Sequence, residues 1–137
     1  LDSSLIRPSL LALTVDFNPV MLFLMLGLLI ASAFFSMAEM AYSSVGKVRM
    51  KTLVDQNIPG SKKAYWIAEN FDRTLTTLLV GNNLANIALT TVSVVFFNGL
   101  FSSIPNAETI VSLLNTVVMT IIILTFGEIL PKSFAKK

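Results

Sequence analysis

Two carboxylates stand inside stretches that are otherwise apolar: Glu39 in FFSMAEMAYSSV, and Glu128, which closes the run TIIILTFGEILPK. A charge at such a place costs about 2.5 to 3.5 kcal/mol even on the lenient insertion scale, so it tends to mark an ion or proton path. Neutral oxygens are spaced around them. Ser32, Ser36, Glu39 and Ser43 follow intervals of four, three and four, the repeat that gathers side chains on one face of a helix. Asn83, Asn86, Thr90 and Ser93 keep the same rhythm, and Asn82 pairs with Asn86 one turn away. Each of these helices is expected to have one wet side.

Hydroxyl, amide and carboxylate are hard oxygen donors, which suit magnesium, calcium or sodium and do not suit zinc or copper. A plainer account competes with ligation. Ser, Thr and Asn also hold membrane helices together, at roughly 0.6 to 2 kcal/mol each, and for Ser32, Thr90, Ser93 and Asn115 taken singly that account is preferred. Glu39 has a middle reading, bonding nearby serines or backbone and only keeping a site in shape.

Pro131 adds a fourth donor type. Its ring clashes with the carbonyl four residues earlier and it has no N–H to give, so the Gly127 carbonyl is expected to leave the helical ladder beside Glu128. The alternative is a simple helix stop before the basic tail, and the residues alone leave both readings open. Depth brings Ser36 and Asn83 together: each lies some ten residues from a basic collar at Lys47 or Arg73, roughly 15 Å along a helix. Glu128, four residues before Lys132, is shallower by the same measure.

The elements that must carry these residues are membrane spans. The chain has 137 residues, of which 54% are hydrophobic and 13% charged, too apolar for a small soluble domain. Every Lys and Arg except Arg7 falls in 47–73 or 132–137, a pattern of membrane topology rather than nucleic-acid binding. There is no Cys and no His, which excludes disulfides, imidazole or thiolate metal sites and nucleophile–histidine catalysis. An enzyme is not expected.

Three spans of about 20 apolar residues are read at about 19–45, 75–97 and 109–130, with Asn18, Asp72 and Asn106 as their N-caps. Pro19 fits the first helical position. Residues 1–17 read as a leader rather than a processed signal peptide. Residues 46–71 are too polar to cross, and Ile58-Pro59-Gly60 divides them into two short helices lying along the membrane surface. The positive-inside rule puts this hairpin and the C-terminal tail in the cytoplasm, and the N-terminus and the 98–108 loop outside. The expected fold is an all-α multi-pass membrane protein, with three transmembrane helices and a juxtamembrane helical hairpin, in the cell membrane.

FFSMAEMAYSSV, LLVGNNLANIALT and GEILPKSFAKK occur here in the order and rough spacing of the transmembrane domain of the CorC and cyclin M (CNNM) magnesium transporters, which the chain resembles from the first span to the tail. Met37 stands where that family frequently has a small residue. The resemblance implies a homodimer, a dimeric bundle of three spans per subunit, and Mg²⁺ efflux coupled to Na⁺ entry. It maps the ion site onto Ser36, Asn83, the Gly127 carbonyl and Glu128, with Ser43, Glu39, Asn82 and Asn86 nearby and Pro131 shaping it. It also implies a cytosolic pair of CBS modules, which bind ATP with magnesium and which residues 18–137 do not include. The leading expectation is a secondary transporter holding a largely dehydrated Mg²⁺ between the helices. The alternative from another class is a membrane anchor or ion-sensing dimerisation domain that moves no ion; a channel is a third possibility.

Overall fold

The computed structural model describes residues 17–136, so the expected leader lies outside the described residues except for Phe17. Among the described residues every element is helical. The first, α1, covers Pro19–Ser44. Asn18 caps it as expected, its side-chain oxygen accepting from the N–H of Val20 at 3.0 Å and of Met21 at 3.4 Å. The hairpin is also as expected: α2 is Lys47–Asp55 and α3 is Ser61–Glu69. The link between them needs left-handed backbone at Asn57, with φ 57°, and at Gly60, with φ 80°. Glycine adopts that conformation without steric cost.

The next helix, α4, runs over Phe71–Leu100 and overshoots the expected span at both ends. At about 1.5 Å per residue it is roughly 45 Å long, more than the hydrocarbon thickness, so its ends project. Asp72 is not its cap but lies in its first turn, where a carboxylate still favours the helix dipole. Asn70 holds the cap position without capping, because its side-chain amide donates to the Trp66 carbonyl at 2.9 Å and closes α3 instead.

The third span differs most from expectation. It begins as α5, Glu108–Ile122, with Ala107 at the cap position and no side-chain cap, while Asn106 sits at φ 59° and shapes the preceding turn. Ile123–Ile129 then winds as a π-helix, and α6, Leu130–Ala135, continues beyond Pro131. The proline neither stops the helix nor breaks it. It falls where π winding returns to α, and the Leu130 N–H there reaches five residues back to the Thr125 carbonyl. A wider turn gives the proline ring room that an α-helix would deny it.

The helices Pro19–Ser44, Phe71–Leu100 and Glu108–Ala135 are each long and apolar enough to cross a bilayer. Large side chains such as Phe23, Ile30, Leu84 and Ile121 are exposed around the bundle, as lipid contact requires. The α1 helix is the hub, packing along α4 and also against the π segment and α6. Toward one end Met25, Leu89, Phe96 and Met119 form an apolar core. Lipid is as apolar as such a core, so close packing and interhelical hydrogen bonds must hold the helices together. Small residues allow that approach. Gly81 on α4 lies under the Phe35 ring of α1, and Gly127 in the π segment lies against Ser32.

Candidate ion site

Ser32 and Ser36 are one turn apart on α1, and neither exposes any surface. Ser32 faces α4, where its Oγ lies 2.8 Å from Asn82 Oδ1 and 2.7 Å from Asn86 Oδ1. A hydroxyl has one proton to donate. Three oxygens therefore meet around a single hydrogen, and one pair among them is left without attraction. Turning one amide over would restore a second bond, and a cation set among the oxygens would satisfy all three. Ser36 Oγ is buried with no hydrogen-bond partner, a state that buried hydroxyls seldom keep. Gly127 closes the same place from the third span: a Cβ on it would stand 3.0 Å from Ser32 Oγ.

The carboxylates follow these oxygens along the chain, Glu39 three residues after Ser36 and Glu128 one residue after Gly127. Lys132 Nζ lies 3.2 Å from Glu39 Oε2 and 3.4 Å from Glu128 Oε1, tying α6 to α1 and to the π segment. All three side chains are partly buried, at 24% exposed for Lys132, 21% for Glu39 and 39% for Glu128. Among the described residues no three carboxylates gather, so an ion here would be held mainly by neutral oxygen.

The expected ligands are not all brought together. Asn82 and Asn86 face α1, whereas Asn83 is exposed, in an open depression that it shares with Asn86, Ile87, Thr90 and Thr91. The stripe buried in α4 runs through Asn82, Ala85, Leu89, Ser93 and Phe96. Asn83 lies about 100° round the helix from Asn82, on the neighbouring face. Ser93 and Thr90 keep to their own helix, donating to the Thr90 and Asn86 carbonyls at 2.7 Å each. Ser43 is exposed and donates to Met40 O at 3.1 Å; seven residues separate it from Ser36, roughly 10 Å along the axis. Asn115 Oδ1 is buried without a partner on α5, as Ser36 Oγ is on α1. Met37 is 41% exposed and leaves the buried serine face undisturbed.

The roles of Ser32 and Lys132 depend on how the helices pack. Ser32 was legible only as one hydroxyl in a stripe, and its double contact with Asn82 and Asn86 depends on how α1 meets α4. The Glu128–Lys132 spacing of four was a readable pairing signal, but the Glu39 arm is tertiary.

A profile of the cyclin M transmembrane N-terminal domain (CNNM) matches residues 23–137. The chain belongs to the CNNM transmembrane-domain family. The chain is 34% identical over 107 residues to a UPF0053 protein of Haemophilus influenzae, covering 78% of this chain and 24% of that one. It is 28% identical over 104 residues to the UPF0053 inner membrane protein YfjD of Escherichia coli, covering 76% and 23%. The chain thus spans about a quarter of the length of these curated relatives. Family and helices together make it a CNNM-type multi-pass membrane domain.

Proposed function

We propose that this domain carries Mg²⁺ across the membrane, with Na⁺ moving the other way, and that the ion is held largely dehydrated between the three spans. The observation that carries the reading is the buried Ser36 hydroxyl without a partner, one turn from the buried Ser32 that meets the Asn82 and Asn86 carboxamides. Mg²⁺ is small and demands close oxygen ligands. Ser36, Asn82, Asn86, Glu128 and the Gly127 carbonyl would supply them, with Glu39 adding charge and Ser43 and Asn83 entering only if helices shift. Binding has to stay moderate, because an ion held too well never leaves.

The reading extends to a homodimer in the cell membrane with its basic hairpin and tail in the cytoplasm, regulated by CBS modules, and to transport rather than an enzymatic reaction. The exposed Asn83 supports a dimer: a carboxamide facing hydrocarbon is costly, and a second copy would cover it.

The test is flux of Mg²⁺ into or out of proteoliposomes under an imposed Na⁺ gradient. Parent protein is expected to move Mg²⁺ in step with the gradient, and Glu128→Ala and Asn82→Ala to move far less. Equal flux from these variants would overturn the site. No flux from the intact parent protein would favour the anchor or sensor instead.

A further inference from the structure

We infer that Lys132 is a tethered internal cation, a positioning residue that holds Glu39 and Glu128 together until the transported ion displaces it. The inference rests on the transport reading above and concerns how tightly the site binds. One ammonium bridges carboxylates from two different elements, at 3.2 Å to α1 and 3.4 Å to the π segment. Two carboxylates brought this close without it would repel each other and be driven apart or neutralised. The ammonium therefore keeps the pair assembled, and it also competes for the same oxygens.

Only one of the two negative charges is cancelled by Lys132. A divalent ion entering beside Ser32 and Ser36 meets the remaining charge and pulls the carboxylates off the ammonium. The four-carbon stem lets the freed ammonium swing toward water at the end of the helix. Its return expels the ion. The device keeps affinity moderate while two carboxylates remain in the site, which neither carboxylate could achieve alone.

Two measurements on the intact protein in lipid nanodiscs test this. The first is calorimetric Mg²⁺ binding to parent, Lys132→Gln and Lys132→Arg. The expected result is binding roughly 5- to 150-fold tighter in Lys132→Gln, the size of a typical coupling free energy between bound groups, and little changed in Lys132→Arg. The second is acylation of the Lys132 amine in the parent, read by mass spectrometry with and without MgCl₂ against NaCl of equal ionic strength. Labelling is expected to rise with Mg²⁺ alone.

If Lys132→Gln does not fold, the labelling decides. Unchanged labelling in a parent that binds Mg²⁺, or a folded Lys132→Gln that binds no tighter, overturns the internal-cation role and leaves the transport reading standing. A parent that binds no Mg²⁺ overturns both.

Discussion

A methyl group on Gly127 would stand 3.0 Å from the hydroxyl oxygen of Ser32, so the third span reaches α1 at this point only because a side chain is missing. That oxygen is itself fixed at 2.8 and 2.7 Å from two amides and has little freedom to retreat. Crowding a packed site costs about 1 to 3 kcal/mol. Alanine recovers about 0.5 to 1 kcal/mol of helix preference. Gly127→Ala is therefore expected to lose about 1 kcal/mol in thermal unfolding in detergent, and to weaken Mg²⁺ binding by more than that loss explains.

Gly81 makes a harsher contact. A Cβ there would lie 2.7 Å from a ring carbon of Phe35, well inside van der Waals distance. Gly81→Ala must push α4 from α1 or turn the ring, at about 1 to 3 kcal/mol. Gly81→Ala with Phe35→Leu should recover most of the lost melting temperature. An unchanged melting temperature in Gly81→Ala alone would show that the helices meet differently.

Ser32→Ala removes the proton that Asn82 and Asn86 share. Interhelical hydrogen bonds in membranes average about 0.6 kcal/mol and reach about 1.7. A double-mutant cycle of Ser32→Ala with Asn82→Ala is expected to give a coupling energy in that range. Zero coupling would mean that the two side chains do not touch.

Ser36→Ala separates folding from function. The Ser36 hydroxyl is buried and unpartnered, so its removal costs the ion-free protein nothing and relieves an unsatisfied group, by up to about 1 kcal/mol. Melting temperature without Mg²⁺ is expected to hold or rise, while Mg²⁺ affinity falls. A loss of stability with unchanged affinity would make Ser36 a packing residue.

The spans were legible because apolar length and capping chemistry are local: Asn18 and Pro19 fix where α1 begins, and Ile58-Pro59-Gly60 divides the hairpin. The start of α4 and the cap of α5 differ from expectation because Asn70 spends its amide on the preceding helix and Asn106 takes a left-handed turn, neither of which composition reveals. The serine face of α1 was readable from its repeat. On α4 the repeat through Asn83 and the Asn82–Asn86 pair overlap in the sequence, since Asn82 and Asn83 are equally polar and only packing against α1 tells them apart. Pro131 announced a departure from α geometry, but its form, π winding that carries Gly127 and Glu128, depends on a hydrogen-bond pattern with no compositional mark.

That winding has a counterpart in chain length. A stretch bonded five residues back accommodates one amino acid more than an ordinary coil between the same two ends. Removing a single residue from Ile123–Ile129 would keep Met119 and Lys132 on their present faces but would force α winding on Pro131, whose ring then meets the carbonyl four residues before it. The same deletion upstream, in α5, would swing everything beyond it by about 100°. The segment therefore behaves like an absorbed insertion, and its surplus residue falls in the stretch that bears the glycine and the acid.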